Sequence, residues 1–180
     1  MSDVVSLELV FDEETDAAVR AEWDALLAAD LPSQARHRGE SNRPHVTVLV
    51  RSRLEAFDVA ALEGALPLPL VLGAPVLFGV GRHRVLARSV VPSAALLALH
   101  ARVHELAGPG ADVDHTVPGA WTAHVTLARR VPLDRIGEAL GVLGDTGARD
   151  LEARAVGIRR WDAATKTVTH LLGRGTLDPC

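Results

Sequence analysis

The tripeptide His-Val-Thr stands at His45-Val46-Thr47 and returns at His124-Val125-Thr126, 79 residues later. With 8 histidines and 10 threonines in 180 residues, chance gives about 0.4 His-x-Thr tripeptides. One copy is weak evidence. Two copies with the same middle residue, each in an apolar run behind a polar loop, constrain the fold more than any bulk property does.

The order of elements around each copy is the same. In the first half, Val4 to Phe11 reads as a strand with apolar residues alternating against Ser6 and Glu8. Asp12 then opens an amphipathic helix to about Ala29, with an acidic first turn that suits the helix dipole and with Trp23 on its core face. A polar loop from Leu31 to Pro44 leads to the strand His45 to Val50. A helix over Leu54 to Leu66 and strands near Leu70 to Phe78 and Arg84 to Val91 follow. In the second half, a helix from Ser93 to Leu106 ends at Gly108-Pro109-Gly110. The strand Trp121 to Ala128, a helix from Leu133 to Leu143, and strands Leu151 to Trp161 and Thr167 to Leu172 complete it. This pattern predicts one α+β domain over residues 1–180, duplicated and bilobal, with halves near 1–83 and 84–180. Two antiparallel sheets would carry helices on the outside, and a central groove would hold the two His-x-Thr strands.

In a strand, side chains at i and i+2 share a face, roughly 6–7 Å apart. His45 therefore points with Thr47, and His124 with Thr126. If the halves face one another, both pairs converge on one groove, and a phosphodiester suits it. One neutral imidazole takes a proton from the attacking oxygen, the other gives a proton to the leaving oxygen, and the threonine hydroxyls hold the non-bridging oxygens. Histidine serves both roles because its ordinary pKa lies near 6.5. This chemistry needs neither a metal nor another cofactor.

The motifs, Pro44-His45-Val46-Thr47-Val48 and Ala123-His124-Val125-Thr126-Leu127, resemble those of the 2H phosphoesterase superfamily. The nearest likeness is to its bacterial branch of 2′-5′ RNA ligase-like proteins and RNA 2′,3′-cyclic phosphodiesterases. The resemblance implies a bilobal α+β fold with His45 and His124 as the catalytic pair and Thr47 and Thr126 on the phosphate. It also implies hydrolysis of a 2′,3′-cyclic or 2′-linked phosphodiester of an RNA end or small nucleotide. A 2′-5′ ligase or phosphodiesterase acting on oligonucleotides is the alternative within enzymes, and a non-catalytic RNA-end-binding module the alternative outside them. The chain has no Tyr and 3 Phe, so the aromatics that commonly hold bases in that family are sparse.

Composition limits the partners. Against 19 basic residues stand 23 acidic ones, a net charge of −4, which opposes long-range attraction to a polyanion and excludes a coat for long duplex nucleic acid. The uncharged run from Gly64 to Gly81 is broken by Pro67, Pro69 and Pro75, so strands explain it better than a membrane span. The lone Cys180 and the lack of a basic-then-apolar leader fit a monomer in the reducing cytoplasm.

Other candidates follow from position. Arg43, two before His45, reads as a phosphate or sugar contact or as a solvated loop charge. Trp121, three before His124, is placed to stack a base or to pack in the core. Phe78 and Trp161 are placed to flank the groove. By simple alternation Arg51 and Arg130 share the histidine faces, roughly 20 Å further along, and read as solvated strand ends, while Arg129 lies opposite. His37 and His115 occupy matching loops before the motif strands, and His100 and His104 read as a surface pair at i, i+4.

Overall fold

A computed structural model describes residues 4–39, 41–146 and 150–173; Cys180 lies outside them. Among the described residues, seven strands and three α-helices follow in the order β1 Val5–Phe11, α1 Glu13–Ala28, β2 His45–Arg51, β3 Leu68–Phe78, β4 His83–Val90, α2 Ala94–Leu106, β5 His124–Pro132, α3 Ile136–Asp145, β6 Leu151–Asp162 and β7 Thr167–Gly173. The α+β class and antiparallel pairing agree with the expectation from sequence.

Helix starts are set by their caps. The Asp12 carboxylate accepts from the Thr15 amide at 3.0 Å, and Ser93 Oγ from the Leu96 amide at 3.2 Å, each satisfying a donor without an intrahelical partner. Glu13, Glu14 and Asp16 add negative charge to the first turn of α1. The helix expected over Leu54 to Leu66 does not form; a short 3₁₀ turn, Val59–Leu62, takes its place. That stretch buries only Leu54 and Leu62 and closes at Gly64 with φ 87°, so it has no apolar face to drive a longer helix.

Two separate sheets were expected, yet all seven strands join in one pairing path, β2-β1-β6-β3-β4-β5, with β7 on β6. The reason is the length of β6. Its first part, Leu151 to Ala155, pairs with β3, while Ala155 to Asp162 pairs with β1, and Gly157 to Asp162 pairs with β7. One strand thus belongs to two groups of four, β2-β1-β6-β7 and β5-β4-β3-β6. Buried side chains of all three helices join alternate strand residues such as Leu7, Leu9, Val46, Val125 and Leu127 in one apolar cluster.

The helices also cross between the motif strands. α1, from the first half, packs on β5 and β6, while α2 packs on β2. Two ion pairs, one buried and one partly buried, lock this exchange. Arg88 of β4, 1% exposed, meets Glu22 of α1 and donates to the Gly73 carbonyl at 3.0 Å. Arg51 of β2 pairs with Asp112 and donates to the Ala107 and Gly108 carbonyls at the C-terminal end of α2 (2.9 and 2.8 Å), where a cation complements the helix dipole.

Candidate active site

Both motif strands begin at their histidine. His45 Nδ1 lies 2.7 Å from the Arg43 carbonyl oxygen, and His124 Nδ1 lies 2.8 Å from that of Thr122. A carbonyl only accepts, so each Nδ1 carries a hydrogen, and Nε2 is the atom left to give or take a proton. The same contact, two residues back, fixes both rings.

The strands also share an irregularity. Leu7 pairs with Leu49 but Glu8 with Thr47, leaving Val48 as the extra residue. Ala87 pairs with Thr126 but Leu86 with Ala128, leaving Leu127 as the extra residue. Each bulge falls on the third residue after the motif histidine and shifts the alternation beyond it. Val48 and Leu49 are both buried, as are Leu127 and Ala128, so Val50 and Arg129 turn to the groove instead. This reverses two expectations. Arg129 lies on the histidine side, and Arg51 is buried in its ion pair with Asp112, whereas Arg130, at φ 59°, is exposed as a strand-end charge. A strict period of two could not have placed them.

At each bulge the preceding threonine carbonyl is satisfied from outside the sheet. Trp121 Nε1 donates to the Thr47 carbonyl and Trp23 Nε1 to the Thr126 carbonyl, each at 3.0 Å. Each indole comes from the half that does not hold the strand it supports. The Trp121 ring stacks on His100, with centroids 3.9 Å apart and planes 10° from parallel. The ring therefore packs as a support behind β2, the second of its two expected places. His100 and His104 are not a surface pair. His100 Nε2 donates to the Thr116 carbonyl at 2.9 Å, and His104 Nε2 to the Val48 carbonyl at 3.1 Å. Helix periodicity gave their spacing but not the neighbour against which they pack.

Two cavities meet between the motif strands. The larger, about 750 Å³, includes Ser6, Glu8, His45, Thr47, Arg159 and Trp161 in its wall. The smaller, about 380 Å³, is lined by Phe78, Val85, His115, Thr122, His124 and Thr126. Arg129 borders both. Phe78 lies over His124, ring centroids 4.6 Å apart. Arg38 and Lys166 add positive charge to the wall of the larger cavity, beside His37. The Arg43 side chain departs from its expected place: Nη1 is 3.7 Å from Asp16, and the residue lines a neighbouring cavity of about 470 Å³.

Glu8 and Arg159 were not expected. Glu8, 4% exposed, faces His45 Nε2 across 3.6 Å, and its other carboxylate oxygen accepts from Arg159 Nε at 2.7 Å. Ser6 Oγ donates to the oxygen nearer His45, at 2.7 Å. Thr47, Glu8 and Arg159 are in register across β2, β1 and β6, so their side chains share one face. Polar Ser6 and Glu8 on alternate positions of an apolar strand were the available signal. What the sequence lacked was the register that puts Arg159 beside them.

Burial pulls the His124 imidazole below the ordinary value of 6.5, and the positive charges of His45, His115 and Arg129 act in the same direction against the Thr122 carbonyl. Burial alone would raise the Glu8 carboxyl, but His45, Arg159 and the Ser6 hydroxyl outweigh it and hold it below 4.5. Among the described residues, no three His, Cys, Asp or Glu side chains cluster as metal ligands. No helix among them is long and apolar enough to cross a membrane.

No family model and no curated protein matches the chain. Among solved structures it is similar to Usb1 of Kluyveromyces marxianus, at 12% identity and a TM-score of 0.51, over 95% of this chain and 98% of that one. The structure of the same Usb1 with uridine monophosphate matches at 13% identity and a TM-score of 0.47, over the same shares. The first of these likenesses shows a shared fold.

Proposed function

We propose that the chain is a phosphodiesterase that cleaves a 2′,3′-cyclic or 2′-linked phosphodiester at an RNA end or on a small nucleotide, using two histidines and no metal. The observation that carries this reading is the matched setting of His45 and His124. Each donates from Nδ1 to the carbonyl two residues back, so both present Nε2 at a groove that both threonines share. A structural histidine has no need of such a duplicate.

The phosphodiester sits between the motif strands, its non-bridging oxygens on Thr47, Thr126 and Arg129. One Nε2 removes a proton from water as the water oxygen bonds to phosphorus. The bond from phosphorus to the ribose oxygen breaks, and the other Nε2–H protonates that oxygen. The product is a phosphomonoester, and the two imidazoles exchange their protonation states through solvent. Each proton transfer supplies about 10²- to 10⁴-fold, and the hydroxyl and guanidinium donors stabilise the charge that develops on phosphate.

The test is turnover of a panel of 2′,3′-cyclic, 3′,5′-cyclic and 2′-5′-linked substrates in excess EDTA. Hydrolysis of a 2′,3′-cyclic mononucleotide is expected. Activity lost to EDTA and restored by zinc overturns the two-histidine mechanism. The larger cavity, with Arg38 and Lys166 on its wall, favours an oligonucleotide with a further phosphate as the second reading. Turnover confined to 2′-5′-linked oligonucleotides selects it. Tight nucleotide binding without product makes the chain a binding module instead.

A further inference from the structure

We infer that the buried Glu8–Arg159 pair is a positioning device for His45 that makes His45 the proton donor of the reaction and leaves His124 as the base. The inference rests on the two-histidine reading and divides its roles.

The two imidazoles have the same Nδ1 contact but different surroundings at Nε2. His45 Nε2 is 3.6 Å from the Glu8 carboxylate oxygen that also accepts from Ser6. With a carbonyl at Nδ1 and a carboxylate near Nε2, His45 has an acceptor beside each ring nitrogen, which is what a doubly protonated ring needs. The guanidinium of Arg159 approaches from the Nδ1 side, with Nη2 at 3.5 Å. Because that nitrogen already donates to Arg43, the contact sets ring position rather than forming a hydrogen bond. Arg159 in turn holds Glu8 through a 2.7 Å bond, so the carboxylate cannot swing away.

Among the described residues, the other fixed charges on this cavity are Arg38 from the loop before β2, Arg129 from β5 and Lys166 from the β6–β7 turn, and His37 lies beside them. They line open space and become counter-ions when phosphate binds, whereas Glu8 stays buried under His45. Among the described residues, none of those lining the cavity at His124 is a carboxylate. His115, Arg129 and His45 act on it, and Phe78 covers its ring. Such a site favours the neutral imidazole that a base requires.

In the chemical step His124 Nε2 takes the proton of the attacking water, and His45 Nε2–H passes its proton to the departing ribose oxygen. Glu8 and Arg159 touch neither water nor phosphate; they act through His45.

The test uses the full chain and a 2′,3′-cyclic mononucleotide. In Glu8→Gln the alkaline limb of kcat/KM against pH, which reports loss of the acid's proton, moves to lower pH, while the acid limb stays. Loss of the charge lowers kcat/KM by about tenfold at pH 8. In Arg159→Gln, with Glu8 released from its cation, the same limb moves to higher pH. A shift of the acid limb in either variant reverses the roles, and a loss of melting temperature with both limbs unmoved makes the pair merely structural. Should neither variant fold, NMR of the wild-type imidazole Cε1–H signals decides. The His124 signal is expected to titrate at lower pH than that of His45, and the opposite order overturns the inference. This titration needs no substrate. Wild-type protein inert toward every phosphodiester therefore refutes the two-histidine reading separately.

Discussion

The Trp121 indole N–H donates to the Thr47 backbone carbonyl at 3.0 Å, across 74 positions of sequence, and Trp23 repeats the contact on Thr126. Each bond satisfies a carbonyl at a bulge and so fixes the strand just beyond the motif histidine. Trp121→Phe keeps an aromatic ring over His100 but removes the donor. An unsatisfied buried carbonyl costs about 1–3 kcal/mol. A lower urea midpoint with unchanged slope is expected, together with a reduced kcat. A midpoint equal to wild type removes the indole from the account of the bulge.

His45→Ala and His124→Ala each delete a proton carrier and a hydrogen bond, partly buried at His45 and exposed at His124. Activity on the cyclic substrate is expected to fall by at least roughly 10²-fold in each, with no more than about 1 kcal/mol lost in stability. Circular-dichroism melts beside the rate measurements separate the two effects. Large destabilisation with residual turnover assigns the histidines to the frame instead.

Much of this frame was legible in the chain because strands and helices announce themselves locally. The capped starts of α1 at Asp12 and α2 at Ser93 and the two His-x-Thr faces follow from neighbours within four residues. What escaped depends on distant pairings. A bulge is a mismatch between two strands, so the turn of Arg129 into the groove has no signature within β5. The Glu8–Arg159 pair joins residues 151 positions apart, and the support of β2 by His104 and Arg51 depends on α2 crossing between halves. Arg43 shows the reverse error. Sequence proximity to His45 suggested a shared site, yet its side chain lies by Asp16 while its carbonyl serves the histidine.

Arg129 is the cation bordering both cavities, and the bulge at Leu127 puts it there. A hydrogen bond between charged groups exceeds a neutral one, so Arg129→Gln is expected to lower kcat/KM by roughly 10- to 100-fold. Arg130→Gln, one residue on and turned to solvent, is the control and should match wild type. Equal losses in both would mean that general positive charge, rather than the bulge, guides the substrate.

Acid lowers the stability of this fold in two stages. His100 and His124 are both held below the ordinary histidine value of 6.5, chiefly by burial. The unfolded chain then binds protons that the native rings resist, so their contribution is complete above pH 6.5 and declines as pH falls toward the folded values. Glu8 and Asp112 are held below their ordinary values of 4.5 and 3.8. In each, burial is outweighed: His45 and Arg159 lower Glu8, and Arg51 lowers Asp112. Their contribution is present above those values and is lost as the native carboxylates take up protons. Urea midpoints measured from about pH 8 to about pH 2 should therefore first decline through the histidine range and then fall again in the carboxylate range. His100→Gln should flatten the first stage and leave the second. A wild-type midpoint constant from about pH 8 to about pH 5 contradicts the buried-imidazole account, because two rings held neutral by burial cannot both pass through that window without effect.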